Sequence, residues 1–289
     1  MRLSVVQMNS STDRDANVEK ACRYIDEAVE RDGADLVVLP EFFNTFYFAQ
    51  YRDYAHIDLA ERDDGHTMTE VRERARRHGV HVLATIYEEE AAGLYYDTAI
   101  LVDPDGEIAG KYRKVQPAAV QSLEKLFFRY GSYWPVFQIG EWRVGAIICY
   151  DTLFPESARC VALNGAELVL VPFAAPHQVL WRDIMRTRAL ENGVYFAPCN
   201  KVGREGLGTA DDWRLGGQSM IVDPLGEVLV ELDDEQEGVI TWTLERERVF
   251  AARRRYPMFR DRRPDLYGPI CTATEDLPGP VRASVRTSG

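Results

Sequence analysis

The sequence predicts an α/β fold, a four-layer α-β-β-α sandwich with two packed mixed sheets. Three observations carry that expectation. Short, continuously apolar β-branched runs alternate with amphipathic segments of helical period, the pattern of parallel strands covered on both faces. One turn design, Asp103-Pro104-Asp105-Gly106 and Asp223-Pro224-Leu225-Gly226, occurs once in each half, so the chain reads as two similar αβ halves whose sheets face each other. No Pro/Gly/Ser-rich linker or composition break separates the halves, which places one domain over residues 1–270.

The elements follow in order. Arg2-Leu3-Ser4-Val5-Val6-Gln7-Met8 is too short for a signal-peptide core and reads as the first strand. From Asp15 to Gly33, Val18, Ala21, Cys22, Ile25, Ala28 and Val29 recur at helical spacing, with Asp15 as the expected N-cap and Gly33 as the C-cap. Leu36-Val37-Val38-Leu39 is a short apolar strand, and strand-helix-strand implies a parallel pair. A second helix is expected from about Thr69 to His78, stopped by Gly79, then a strand from Val80 to Tyr87. Tyr95 to Val102 and Glu107 to Lys111 form a hairpin, its proline presetting one dihedral and its glycine accepting positive φ.

In the second half a strand is expected to end at Cys149, followed by a helix from about Pro155 to Asn164 and a strand from Leu168 to Pro172. A helix from about Trp181 to Asn192 and a strand from Tyr195 to Pro198 complete the set. Gly203, Gly206 and Gly208 lack the strand-helix setting of a dinucleotide loop and mark a mobile loop instead. After Val249 the chain reads as irregular, and its locally basic stretch from Arg253-Arg254-Arg255 to Arg262-Arg263 reads as solvated arginines or salt bridges to a partner subunit rather than as an anion-binding site. Residues 271–289, rich in Pro, Gly, Ser and Thr, read as a flexible C-terminal tail.

Bulk properties narrow the function. A net charge of −12 and a pI near 5.0 disfavour nucleic acid, whose phosphates require clustered Lys and Arg. No apolar run approaches the roughly 18 residues of a membrane span, so no membrane partner is expected. Five cysteines, with no Cys-x-x-Cys pair, indicate neither a disulfide framework nor a zinc site and fit a reducing cytoplasm. The five histidines show no ligand spacing, and neither Gly-x-Ser-x-Gly nor a Walker loop occurs. No metal and no organic cofactor are expected.

An α/β fold presents catalytic groups at the ends of apolar strands. Glu41, Lys114 and Cys149 stand at or near such ends. Each alone has an ordinary reading: Cys149 as a packed core thiol, Glu41 as a surface carboxylate, Lys114 as one basic residue among several. Together they have a chemical logic. A thiol with a pKa of about 8.5 needs a base, and a carboxylate between Leu39-Pro40 and Phe42-Phe43 is placed to act as one. A cation and a backbone N–H after the nucleophile suit the negative charge that builds on an attacked carbonyl or nitrile.

These residues also carry a likeness. Leu39-Pro40-Glu41-Phe42, Gly110-Lys111-Tyr112-Arg113-Lys114, Ile148-Cys149-Tyr150-Asp151 with Phe154-Pro155-Glu156, and Arg188-Ala189-Leu190-Glu191-Asn192 followed by Asn200 resemble the nitrilase superfamily of carbon-nitrogen hydrolases. The likeness extends through Gly217 to Gly226 and covers Leu3 to about Tyr267 in the right order. It implies a Cys-Glu-Lys triad: Cys149 as nucleophile, Glu41 as general base and Lys114 as oxyanion stabiliser. Leu123-Glu124-Lys125-Leu126-Phe127-Phe128 resembles the family's Glu-Lys-aromatic-Phe element, making Glu124 the second glutamate that positions Lys or substrate. Tyr150 N–H would join the oxyanion hole, and Tyr47, Phe173 and Ala174 would line the pocket. The superfamily also implies a homodimer or higher homo-oligomer.

Glu124 and the Asp151 to Glu156 stretch look most like the branch that cleaves N-carbamoyl amines and amino acids, nearest to N-carbamoylputrescine amidase and β-ureidopropionase. Enzymes for N-carbamoyl-D-amino acids carry adjacent arginines, a histidine and an asparagine where this chain has Thr152-Leu153, Gln116 and Ala174. The expected substrate is therefore a small neutral or cationic molecule with a linear amide or ureido C–N bond. Nitrile hydrolysis is the alternative within enzymes, and a catalytically silent scaffold the alternative outside them.

Overall fold

A computed structural model describes residues 1–176, 180–210 and 212–273 of the chain. The first half contains β1 (Arg2–Gln7), α1 (Arg14–Glu30), β2 (Leu36–Val38), α2 (His66–His78), β3 (His81–Ala91), β4 (Leu94–Val102) and β5 (Ile108–Arg113). A short helix α3 (Glu124–Phe127) leads to β6 (Val136–Ile139), β7 (Trp142–Ala146), α4 (Pro155–Leu163), β8 (Leu168–Phe173), α5 (Trp181–Asn192) and β9 (Tyr195–Asn200). Then come a ribbon of β10 (Val202–Glu205) and β11 (Trp213–Gly216), strands β12 (Met220–Val222), β13 (Val228–Glu231) and β14 (Gly238–Thr243), and helices α6 (Arg246–Arg255) and α7 (Met258–Asp261).

Two six-stranded sheets result, ordered β14-β1-β2-β3-β4-β5 and β13-β12-β9-β8-β7-β6. In each, three central strands run parallel and the remaining pairings are antiparallel, so both sheets are mixed. The β1-α1-β2-α2-β3-β4-β5 order of the first half recurs as β7-α4-β8-α5-β9-β12-β13, with one Pro-Gly hairpin closing each. Helices α1 and α2 bury Ala21, Ile25, Ala28, Met68, Val71 and Ala75 against Val37, Val82 and Ile100 of the first sheet. The sheets meet face to face, the Cys199 thiol of β9 lying 3.0 Å from Val6 O of β1 and 3.4 Å from Val38 O of β2. The four-layer α-β-β-α sandwich is the observed architecture.

Several boundaries differ from the sequence expectation. The N-cap of α1 is Asp13, whose carboxylate accepts from Ala16 N at 3.1 Å, while Asp15 sits in the first turn. Asp13 has the extended backbone a cap needs, at φ −88° and ψ 103°, whereas Asp15 is already within the helix. Gly33, at φ 65°, follows the C-cap Arg31 rather than forming it. Helix α2 starts three residues early, at His66, and ends as expected on left-handed Gly79. Gly203 is not in a loop but in β10, paired with Leu215.

The stretch after Val249 is helical to Arg255, contrary to expectation, because Val249 and Ala252 bury one edge of α6. Arg253 is neither solvated nor reserved for a partner subunit, since its guanidinium donates to Gly193 O and Ala166 O. One compact unit spans Met1–Tyr256, and a second begins at Pro257 with α7 and two 3₁₀ turns. Of the expected tail, residues 274–289 lie outside the described residues. Among the described residues no helix is long and apolar enough to cross a membrane.

Candidate active site

Three chain segments converge where the parallel strands end. Glu41 follows β2 by three residues and is wholly buried. The next residue, Phe42, takes φ 51°, a conformation uncommon outside glycine, and turns its ring onto Phe48 and Phe128. Lys201 holds that turn, its ammonium donating to Phe42 O, Thr45 O and Glu205 Oε2. Glu205 in turn accepts from Ser10 N and Tyr47 N.

Lys114 directly follows β5, anchored by Lys114 N to Asp97 O and Gly131 N to Lys114 O. Cys149 lies three residues past β7 rather than at its end, because the ladder stops at Ala146 and the chain enters a 3₁₀ turn over Cys149–Leu153. Gly145 allows α4 to seat closely beneath: a Cβ there would lie 2.2 Å from Val161 Cγ1. Cys149 itself has φ 45°, and Thr152 Oγ1 donates to its carbonyl at 2.6 Å. The Asp151 carboxylate accepts from Ile148 N, Tyr112 Oη and Gln116 N, tying the cysteine turn to the segment after Lys114. Burial pushes the Asp151 carboxyl up to about 6 against those three donors.

The Lys114 ammonium is the hub of the cluster. Its Nζ lies 2.8 Å from Glu41 Oε1, 2.7 Å from Glu124 Oε2 and 3.2 Å from Asp97 Oδ2, all four side chains fully buried. Burial works against the ammonium, but Glu124, Glu41 and Asp97 more than offset it and hold its pKa well above the lysine range. Glu124 further accepts from Tyr47 Oη at 2.7 Å and from Ala118 N at 2.7 Å. Burial and then the Glu41 carboxylate push the Cys149 thiol well up, partly countered by Lys114, so it rests protonated and needs a base. Glu41 Oε2 has no hydrogen-bond partner in the buried site and is available as an acceptor.

Of the residues expected from sequence, Glu41, Lys114, Glu124, Tyr47 and Cys149 come together. Ala174 joins them, buried with Phe42 and Tyr47 and with its backbone N–H toward the Cys149 sulfur. Phe173 is buried at the end of β8, where its ring packs 5.8 Å from Trp181. The Tyr150 ring packs edge-on against Phe154 and lines a groove of about 880 Å³ with Gln116 and Phe128. Its N–H belongs to the first turn, where helical donors lack internal partners.

Sequence reasoning missed Asp97 and the Lys201–Glu205 pair. The only signal for Asp97 was an acidic residue inside the strand run Tyr95-Tyr96-Asp97-Thr98-Ala99-Ile100. His177, singled out with the other histidines, lies outside the described residues.

The α-β-β-α sandwich and the comparisons with known proteins define a hydrolytic enzyme. The chain belongs to the carbon-nitrogen hydrolase family, whose profile matches residues 2–254, and it is a hydrolase acting on C–N bonds. It is 31% identical to the N-carbamoylputrescine amidase of Arabidopsis thaliana over 95% of this chain and 96% of that one. It is 36% identical to a nitrilase of Pyrococcus abyssi (strain GE5 / Orsay) over 92% and 99% of the two chains. A carbon-nitrogen hydrolase crystal structure from Helicobacter pylori G27 superposes with a TM-score of 0.89 at 28% identity, covering 94% of this chain and 98% of that one. An amidase variant from Nesterenkonia sp. AN1, with the acetamide moiety of fluoroacetamide added covalently at its active-site cysteine, superposes at 0.77 with 28% identity, covering 93% and 96%.

Proposed function

We propose that this enzyme hydrolyses a non-peptide linear amide or N-carbamoyl (ureido) C–N bond through a covalent acyl-cysteine, releasing ammonia or an amine. The observation that carries the reading is the buried contact of Glu41, Lys114 and Glu124 beside the thiol of a positive-φ cysteine. Cys149 Sγ attacks the carbonyl carbon while Glu41 takes the thiol proton. Lys114 Nζ and Tyr150 N–H hold the oxyanion, and one such donor lowers the barrier by about 3 kcal/mol. Collapse breaks the C–N bond as Glu41 passes its proton to the departing nitrogen. Water then attacks the thioester or thiocarbamate, its proton moves to Glu41, and Glu41 returns a proton to sulfur. Glu124 and Tyr47 keep Lys114 oriented, and Tyr47, Tyr150, Phe173 and Ala174 bound the acyl group.

The cations near the cysteine favour a neutral or cationic substrate. Lys114 is engaged by three carboxylates, and Arg188 donates to Thr152 O, Leu153 O and Glu191. An N-carbamoyl amine fits this balance and accords with the Arabidopsis relative's name. The relative named a nitrilase supports nitrile hydrolysis as the second reading, in which the same thiol adds to a nitrile carbon. Mass spectrometry of the enzyme trapped with ureido compounds, amides and nitriles decides between them. A carbamoyl or acyl adduct on Cys149, absent from Cys149→Ala, is the expected result. Full ammonia release by Cys149→Ala would overturn the proposal.

A further inference from the structure

Asp97 is the member of the buried cluster that the reaction above leaves without a task. It lies on β4 with its side chain fully buried, 3.2 Å from the Lys114 ammonium. Oxygens of Glu41, Asp97 and Glu124 fall within 4.8 Å of one another, an arrangement that calls for a cation, and the ammonium takes that place. The charges do not balance, since three carboxylates share one ammonium. Lys201, whose charge also reaches Glu41, is committed to Glu205.

A fully buried site of this composition keeps a proton rather than a second uncompensated negative charge. The donors decide where the proton sits. Glu124 has three: Tyr47 Oη, Ala118 N and the Lys114 ammonium. Glu41 accepts from Lys114 at 2.8 Å. Neither oxygen of Asp97 has a hydrogen-bond partner, and the neighbouring Glu41 Oε2, in the same 4.8 Å cluster of carboxyls, lacks one too. A proton on Asp97 supplies the missing hydrogen bond and removes the excess charge together. Burial, the largest influence on this carboxyl, acts in the same direction.

We propose that Asp97 is a proton-holding positioning residue, a neutral carboxylic acid whose O–H donates to Glu41 and leaves Glu41 as the anion that accepts the Cys149 proton. The inference rests on the reading of Glu41 as base. The groups facing Asp97 are Lys114 after β5, Glu41 after β2 and Glu124 on α3, with Tyr47 Oη and the Cys149 thiol beyond them. Asp97 neither gains nor loses its proton during turnover. When it ionises at alkaline pH, the added negative charge opposes the thiolate and the oxyanion, and the rate falls.

The test compares wild type, Asp97→Asn and Asp97→Ala by the pH dependence of kcat and by infrared spectra of protein carrying ¹³C-labelled aspartate. Asp97→Asn keeps a neutral donor and is expected to stay within about threefold of wild type at neutral pH, with its alkaline fall in kcat moved upward by about one pH unit or lost. Asp97→Ala lacks the donor and is expected to lose about tenfold or more. Wild type should show a protonated-carboxyl C=O stretch at neutral pH that moves with the label and is missing from Asp97→Asn. Absence of that band, superimposable pH profiles, or a loss of more than about a hundredfold in a folded Asp97→Asn variant would each overturn the inference. The band is read without substrate, so this failure is separable from failure of the Cys149 mechanism.

Discussion

At Cys149 the backbone is held in an uncommon conformation. A non-glycine residue at φ 45° costs about 1–2 kcal/mol. Asp151 and Thr152 offset that cost by bonding Ile148 N and Cys149 O. Phe42, beside Glu41, is held at φ 51° in the same manner by Lys201. Tyr47 is the residue whose polar atom bears most directly on the cluster: its hydroxyl donates to Glu124 while its ring stacks on Trp213 at 4.9 Å. Tyr47→Phe keeps the ring and removes a hydrogen bond to a charged group, worth about 1.5–3 kcal/mol. If about half of that appears in the barrier, kcat falls about three- to tenfold with the near-ultraviolet dichroism unchanged. An unaltered kcat would show that Glu124 needs no such support.

Among the elements, the edge of the first sheet depends on one buried carboxylate. Glu88 of β3 accepts from Thr98 of β4 and from Lys111 and Arg113 of β5, pinning three strands in register. Burial alone would raise its pKa, but the Arg113, Lys111 and Thr98 hydrogen bonds outweigh it and lower the carboxyl from 4.5 to about 2. A depressed carboxylate stabilises the fold above its unfolded pKa, and that contribution is lost as pH falls from about 4.5 to about 2. Full depression corresponds to roughly 3 kcal/mol at neutral pH. Urea titrations should therefore show Glu88→Gln less stable than wild type by an amount of that order at pH 7, with the gap closing toward pH 2. A gap independent of pH would contradict the assignment. Helix α6 teaches a different lesson at this scale: five of its ten residues are arginine, and an apolar edge of Val249 and Ala252 is too sparse to register as helical period.

In the whole molecule, the Lys201–Glu205 pair joins the two halves. Lys201 stands just after β9 in the second sheet, and its ammonium reaches the Phe42–Tyr47 turn that follows β2 in the first. Burial lowers the Lys201 pKa and raises that of Glu205, each countered by the partner. Lys201→Met strands a buried carboxylate and should cost about 3–5 kcal/mol in denaturant unfolding. The double variant Lys201→Met/Glu205→Leu should recover part of that loss. Equal stability of single variant and wild type would refute the pairing.

The catalytic candidates were legible in the sequence because each follows an apolar strand run that local pattern reveals: Glu41 after Leu36 to Leu39, Lys114 after its hairpin, Cys149 after Val144 to Ile148. Alternation of such runs with helical periods determined the α/β class, and the repeated Asp-Pro-x-Gly turn determined the two-half layout. Only tertiary structure decided that Asp97 meets Lys114, that Lys201 clamps the Glu41 turn, and that Asp151 bridges Ile148 to Gln116. Apart from the local Asp151–Ile148 bond, those contacts join separate segments of the chain, and their strength comes from exclusion of water. Local pattern records period and turn chemistry, whereas burial and the balance of charge exist only once the sheets have closed on one another.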